Sequence, residues 1–460
     1  SRRRGDPAVR RRAMSSFSVL VLAAAAAAAL AAGPAVATTT PEQLHLAFRG
    51  LPGACDMVVS WLTHNATATS TVRFGTSATA LSSTATGSAS IYHVSYSHNV
   101  VLEGLKCSTQ YYYQCGDSAG GWSQTLSFTT QPTDGDSKPW TVAVYGDMGV
   151  TNSENTTARL TQNQDKYDWI IHGGDFGYAD DRLFEKTFEA IWNSWANSVQ
   201  PFAGQAAYMT VPGNHEAACR CFSDAFCDSW ADNFTAYNHR FRMPSEESGG
   251  VLNMWHSFDY ANAHFVMIDT ETDVTKPPEG PHTLWNAGPF GDQLSWLKAD
   301  LEKAKANRAT HPWIIVVGHR PMYTTSKPGG DAIIWPHVTD NLRGDIEEML
   351  HDANVDLYIG SHVHGYERTW PVYQNKTAQK NYVNPDTFVH QVVGMAGNIE
   401  GHQGNGHWLP ETPDWLATRD GEHYGYVLMT VHNASHMSWQ FYDAATDTVV
   451  DEYTLQRDRS

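Results

Sequence analysis

The sequence predicts two folds in series, an all-β sandwich over residues 40–133 and an α/β domain over residues 134–460. Three observations predict this. Residues 42–131 hold short strand-like runs, separated by Gly, Ser and Asn clusters at sandwich-like intervals. Gln131-Pro-Thr-Asp-Gly-Asp-Ser-Lys-Pro139 is a polar linker. Beyond it, apolar strand-like runs alternate with helical periodicities, the pattern of layered α/β structure.

Residues 1–39 read as a leader. Met14, the apolar stretch Phe17–Leu22, an alanine run to Leu30 and the small triplet Ala35-Val-Ala37 follow the pattern of a cleavable secretory signal. Its basic part, Arg2–Arg4 and Arg10–Arg12, lies upstream of Met14, so residues 1–13 are expected to precede the start codon. A membrane anchor is disfavoured because the apolar core is short and mostly Ala, and no later stretch is long and apolar enough to span a bilayer. Export agrees with five Asn-x-Ser/Thr sequons, at Asn65, Asn155, Asn233, Asn375 and Asn433, and with an even count of six cysteines. The expected location is extracellular, in the vacuole or in the cell wall, with N-glycosylation. The formal charge of −18 becomes −23 once residues 1–39, with six Arg and one Asp, are removed. Such a chain repels nucleic acid and anionic membranes, and a phosphorylated substrate needs a metal to supply local positive charge.

In the sandwich, strands are expected at Leu44–Phe48, Met57–Leu62, Ser70–Phe74, Ser95–Leu102, Gln110–Gln114 and Gln124–Phe128. Cys55 and Cys107 both precede strands that start at one end of such a sandwich and are expected to pair. The other cysteines are Cys115, Cys219, Cys221 and Cys227. Three fall in each domain, so full pairing needs one interdomain bridge; otherwise each domain keeps a free thiol. Thr109–Tyr113 follows a turn at Leu102–Leu105, where sandwiches place a corner tyrosine. In the α/β part, strands are expected at Trp140–Tyr145, Trp169–Ile171, Ala207–Val211, His264–Ile268, Trp313–Val317 and Val355–Ile359. Helical periods run through Leu183, Phe184, Phe188, Ile191, Trp192 and Trp195, through Leu294, Leu297 and Leu301, and through Leu342, Ile346, Met349 and Leu350, all read as core. From Tyr424 a closing β-hairpin is expected around Asp443–Asp447.

Five strand-to-loop junctions carry the chemistry. They are Gly146-Asp147-Met-Gly149, Gly174-Asp175-Phe-Gly-Tyr178, Gly213-Asn214-His215-Glu216, Gly318-His319-Arg320 and Gly360-Ser-His362-Val-His364-Gly365. Each follows an apolar strand, brings the backbone in on a glycine, and then presents Asp, Tyr, Asn or His. Singly, each is more often an ordinary turn, and a lone His is usually a surface or core residue. Together at strand C-termini they are hard to explain as turns. Two Asp, a Tyr, an Asn and three His without a cysteine suit Fe, Mn or Zn better than Ca or a soft metal. Seven donors exceed what one tetrahedral ion needs, so two ions sharing a carboxylate is the economical reading. His362 and His364, two residues apart, face the same side if the backbone is extended.

In this order the motifs resemble those of the metallophosphoesterase superfamily, and Tyr178 in Gly-Asp-x-x-Tyr narrows the resemblance to the purple acid phosphatases. The N-terminal run resembles a fibronectin type III domain, and Tyr366-Glu-Arg-Thr-Trp-Pro371 resembles the large plant and fungal members. The resemblance covers roughly residues 42–440 and implies a four-layer α/β–β/α sandwich behind the fibronectin III-like domain. It implies Asp147, Tyr178 and His364 on Fe(III), Asn214, His319 and His362 on a divalent ion (Zn, Mn or Fe), and Asp175 between them. A phenolate and carboxylates suit hard Fe(III), while imidazoles and an amide suit a divalent metal. The implied activity is that of an acid phosphatase, hydrolysing small phosphate monoesters with a metal-bound hydroxide, and His215 is the group expected to hold the phosphate and protonate the leaving alcohol.

One departure stands out. Plant members follow the fourth-motif histidine with further histidines that contact substrate. Here His319 is followed by Arg320, Pro321, Met322, Tyr323 and, further on, Lys327, and the next histidine is His337. Arg320, Tyr323 and Lys327 are the alternatives for that contact. The same site also serves a phytase, a phosphodiesterase or a nucleotide pyrophosphatase. From another class, a cell-surface binding protein would use the sandwich and leave the metal site idle. Homodimers are common in the family.

Overall fold

The computed structural model describes residues 39–181, 185–218, 229–278, 287–327 and 336–458. The expected leader, Leu183, Phe184, Cys219, Cys221, Cys227 and the start of the helix that ends in Asp352 lie outside the described residues or their described side chains.

Alternation builds the sandwich. In Gln110–Asp117, Tyr111, Tyr113 and Cys115 point inward between more exposed neighbours. One sheet orders the strands Glu42–Phe48, Met57–Thr63, Ser95–Leu102 and Ser88–Tyr92. The other orders Ser83–Thr86, Thr71–Gly75, Gln110–Asp117 and Gly121–Trp122, with Leu126–Thr129 pairing Gln110–Asp117. The edge strands Ser83–Thr86 and Ser88–Tyr92 go beyond the sequence-based expectation, because they are largely exposed and carry no apolar alternation. Cys55 and Cys107 form a disulfide, as expected. Cys115 is a free thiol whose burial pushes its pKa up to about 12, which makes it inert. Tyr111 is the corner tyrosine, its Oη accepting a hydrogen bond from the Lys106 amide at 3.1 Å.

Two larger sheets form the rest. A six-stranded sheet runs Tyr208–Thr210, Trp169–His172, Trp140–Tyr145, Gly425–Val431, His436–Asp443, Thr448–Gln456. A seven-stranded sheet runs His256–Tyr260, Ala263–Ile268, Trp313–Gly318, Leu357–Gly360, Val389–Val393, Tyr366–Thr369, Leu416–Asp420. Period-two alternation explains how they stack. Ile315 and Val317 join Trp140 and Trp169 in the core between the sheets, while Ile314 and Val316 join Leu297, Leu301, Leu342 and Ile346 under the helices Gln293–Ala306 and Pro336–Asp352. Leu160 of helix Glu154–Gln162 packs on the first sheet, and helix Glu185–Ala203 lies along Glu42–Phe48 and Phe176–Gly177, with the Trp195 ring 5.8 Å from His172 and 6.5 Å from Tyr208. The result is the expected helix–sheet–sheet–helix order, and strands covered on both faces read as continuous apolar runs for that reason.

The expected closing hairpin is larger than a hairpin. Gly425–Val431 pairs antiparallel with both Trp140–Tyr145 and His436–Asp443, so three C-terminal strands complete the first sheet. The strand expected at Ala207–Val211 shortens to Tyr208–Thr210.

The sandwich meets the α/β layers through its first strand. Phe48 packs against Trp169 and Tyr260, with ring centroids 5.6 and 5.3 Å apart, and Leu46 forms a parallel bridge to Ala207. Tyr113 Oη donates to the Gly204 carbonyl at 2.7 Å. Residues 130–139 contain no strand or helix, and the Gly135 amide donates to the Ala261 carbonyl at 2.7 Å. Among the described residues no helix is long and apolar enough to cross a membrane.

Candidate metal centre

The C-terminal ends of five parallel-type strands converge between the sheets. Turns after Trp140–Tyr145, Trp169–His172 and Tyr208–Thr210 present Asp147, Asp175 with Tyr178, and Asn214 with His215. Turns after Trp313–Gly318 and Leu357–Gly360 present His319, His362 and His364. All eight side chains are between 0 and 6% exposed. Burying so many ionisable groups together is costly unless a counter-charge or coordinated ion compensates.

They fall into two clusters. In one, Tyr178 Oη lies 3.3 Å from Asp147 Oδ1 and 3.1 Å from His364 Nε2, and His364 Nε2 is 3.5 Å from Asp147 Oδ1. In the other, His319 Nε2 lies 3.2 Å from Asn214 Oδ1, and one ligand atom each from Asp175, His319 and His362 lies within 4.8 Å of the other two. Asp175 belongs to the second cluster, and its charge acts on Tyr178 and His364 of the first. Its Oδ2 is 3.1 Å from His319 Nε2 and 3.9 Å from His215 Nε2, but it is buried without a geometrically sound hydrogen bond.

The backbone is bent to make this possible. Asp147, Asp175, Tyr178 and His362 adopt left-handed φ values of 60, 61, 57 and 67°. Such backbone costs on the order of 1 kcal/mol or more per residue and clusters at functional sites. His362 and His364 are therefore in a tight turn, not the extended backbone expected, and the turn sends them to different clusters. Two glycines clear the space. A Cβ on Gly213 would lie 2.3 Å from Asp175 Oδ1, and one on Gly174, at φ +91°, would lie 2.5 Å from His319 Nδ1.

Several partners have no apolar or glycine signature in the sequence. Asp180 Oδ1 sits 2.8 Å from His215 Nδ1, and Glu400 Oε2 is 3.8 Å from both His215 Nε2 and His364 Nε2. Glu216 accepts from the amides of Asp175 and Phe176 at 2.9 and 2.8 Å. Of the three alternatives for substrate contact, Arg320 alone touches a candidate ligand. Glu271 grips its Nε and Nη2, and its Nη1 lies 3.1 Å from His362 Nε2. Tyr323 Oη bonds to Glu347, and Lys327 Nζ donates to the Gly406 carbonyl.

The electrostatics fit a cation. Burial opposes charge on Asp175, yet His319 and His215 hold its carboxyl well below the usual carboxylate range. Burial likewise opposes a proton on His319, but Asp175 carries its pKa to about 9. Burial, with Asp147 and Asp175 alongside, pushes the Tyr178 phenol well up, so only a strong Lewis acid would ionise it. His362 is held well below its usual value by burial and then by Arg320, which leaves a neutral ring suited to a metal. An orphaned carboxylate oxygen, an oxygen-rich cluster and a nitrogen-rich cluster together suit two ions of different hardness.

Known proteins share this plan. Residues 41–130, 141–366 and 387–452 match in turn the families described as purple acid phosphatase N-terminal domain, calcineurin-like phosphoesterase, and iron/zinc purple acid phosphatase-like protein C. The chain is 34% identical over 444 residues to acid phosphatase type 7 of Danio rerio, covering 92% of each. It is 32% identical to acid phosphatase A of Cryphonectria parasitica, covering 91% of this chain and 92% of the relative. Purple acid phosphatase PPD1 from yellow lupin (Lupinus luteus) seeds shares the fold, with a TM-score of 0.73 at 22% identity, covering 92% of this chain and 75% of the lupin chain. The chain belongs to the purple acid phosphatase family of metallophosphoesterases and is a metal-dependent phosphatase.

Proposed function

We propose that the protein is a secreted, N-glycosylated acid phosphatase that hydrolyses small phosphate monoesters at an Fe(III)–M(II) pair, with M being Zn, Mn or Fe. Asp147, Tyr178 and His364 would hold the ferric ion, Asn214, His319 and His362 the divalent ion, and Asp175 both. The observation that carries this reading is Asp175, which sits in the nitrogen-rich cluster with an unsatisfied Oδ2 while its charge acts on Tyr178 and His364 of the oxygen-rich cluster. When bound, the ions supply Lewis acidity, a nucleophilic water and positive charge against the phosphate.

The chain's own groups do the rest. Asp180 fixes the His215 ring through Nδ1 at 2.8 Å, which leaves Nε2 to carry a proton toward the cleft. Burial opposes that proton, but Asp180 and Asp175 hold the His215 pKa well above its usual value. From Nε2 the proton passes to the leaving alkoxide oxygen. Burial of the site keeps bulk water out and strengthens each of these interactions. Exposure of Asn155, Asn233, Asn375 and Asn433, with Asn65 half-buried, supports glycosylation.

The test is a visible absorption spectrum of the secreted protein beside its turnover of p-nitrophenyl phosphate. A broad band in the green that shifts or vanishes in Tyr178→Phe is expected. A colourless, active protein removes iron and Tyr178 from the reading. A protein that stays colourless and inactive after reconstitution with metal overturns it.

A further inference from the structure

We propose a second and separate cation site, in which a borderline divalent ion such as Zn(II) is held by Asp134, Asp259 and His311 where the interdomain linker crosses the second large sheet. One ligand atom from each of the three lies within 4.8 Å of the other two. His311 Nδ1 is 3.7 Å from Asp259 Oδ1. Donors on a tetrahedral ion with bonds of about 2.1 Å stand about 3.4 Å apart, so the three groups would draw together around an ion.

The second observation is the state of His311. It is 2% exposed; Nδ1 meets the Asn307 side-chain amide at 2.9 Å, and Nε2, the nitrogen left for an ion, is buried with no hydrogen-bond partner. A half-satisfied buried imidazole is a cost that a coordinated ion removes. His311 and Asp259 also line a cavity of about 260 Å³, together with His264 and Asp300, which leaves room for water to complete the coordination.

The two carboxylates are already aimed. The Gly53 amide donates to Asp134 Oδ2 at 2.8 Å. His264 Nδ1 meets Asp259 Oδ1 at 2.7 Å, and its Nε2 meets Asp300 Oδ2 at 3.0 Å. Such outer hydrogen bonds are how metal ligands are held in orientation. One imidazole and two carboxylates favour Zn(II) or Mn(II) over Ca(II). The site is distinct from the centre described above. His311 precedes the strand Trp313–Gly318, whose opposite end presents His319, and six residues of strand span about 20 Å. An ion here would tie a sandwich loop, the linker and the strand His256–Tyr260 together, so it is structural and does not depend on the proposed phosphatase chemistry.

The test uses the full-length secreted protein with its own centre loaded, equilibrated with micromolar Zn(II) alone. Metal content per chain, thermal unfolding and p-nitrophenyl phosphate turnover are measured for wild type, Asp134→Asn and His311→Gln. The expected result is one further zinc per chain in the wild type, with a zinc-dependent rise in Tm of a few degrees. Both variants lose both effects and keep wild-type turnover. The half-exposed Asp134 carries the test if the buried His311→Gln fails to fold. Equal zinc content in wild type and Asp134→Asn, or saturation only at millimolar zinc, overturns the proposal. Loss of turnover in every protein with the zinc difference intact would count against the phosphatase reading and leave this one standing.

Discussion

The two halves of the candidate centre are held ready by different means. Asp147, Tyr178 and Asp175 all sit in left-handed backbone, and Glu216 ties down the amides of the turn that carries Asp175. The main chain itself aims the oxygen donors before any ion arrives. Asn214 and His319 stand on ordinary backbone and are aimed by side-chain bonds. The Gly173 carbonyl lies 2.8 Å from His319 Nδ1, which keeps a proton there and turns Nε2 toward Asp175, where a metal would replace the second proton. His362 is the exception on the nitrogen side, at φ 67°. A half built on backbone strain tolerates little change in the chain path, whereas a half built on a tautomer depends on single hydrogen bonds.

Substitutions can break or sharpen that contrast. Asp175→Asn strikes both halves and should have the largest effect. Both ions should fall in elemental analysis, and hydrolysis should drop by more than the roughly 100-fold that losing an outer partner costs. Retention of both ions would remove the shared carboxylate from the picture. Next come the halves singly. His319→Ala should lose the divalent ion and keep the visible band, and Tyr178→Phe should do the reverse. Joint loss in either variant would mean that the halves are one unit.

A smaller effect is expected where the chain supplies a proton instead of a ligand. His215→Gln should slow alkyl phosphates by roughly 10²-fold and an aryl phosphate with a good leaving group by less, with metal content unchanged. Asp180→Asn should reproduce part of that loss and displace the pH–rate profile. Equal slowing of both esters would sink the proton-donor role.

The smallest effect lies in the sandwich, far from the chemistry. Burial lowers His98 from 6.5 to about 4, against the pull of Asp117. Its ring nitrogens meet Thr63 and Ser70 hydroxyls at 2.9 and 2.8 Å, which suits a neutral ring. The unfolded chain therefore takes up this proton first. The stability it contributes is complete above pH 6.5 and is lost as pH falls toward 4. His98→Gln should flatten the fall in urea midpoint across that window and leave turnover of the folded protein unchanged. An unaltered slope would place the acid sensitivity elsewhere.

Much of this was legible in the sequence because burial on both faces writes plain apolar runs. Trp313–Gly318 and Trp169–His172 are examples, each ending in a glycine junction. The same signal fails where a buried strand is polar. Tyr366–Thr369 contains Glu367 and Arg368, which are buried because Thr324 and Thr325 donate to the first and Asp451 accepts from the second. No local periodicity discloses partners that distant. The seven candidate ligand positions were readable as strand-end motifs, but the reason for pairing His362 with His364 was not, since a left-handed turn replaces extended backbone. Asp180, Glu400 and the Arg320–Glu271 pair come from chain segments whose relation only the folded topology reveals.

The docking of Glu42–Phe48 bears on how the chain is made. This strand is among the first parts of the fold to leave the ribosome, yet Phe48 rests on Trp169 and Tyr260, and Leu46 bridges Ala207. Those partners emerge well over a hundred residues later, so the nascent sandwich waits with an apolar flank uncovered. Chaperones would meet that flank first. For the same reason the sandwich is a poor portable module: grafted onto another protein, it would bring a surface that only its own catalytic layers cover.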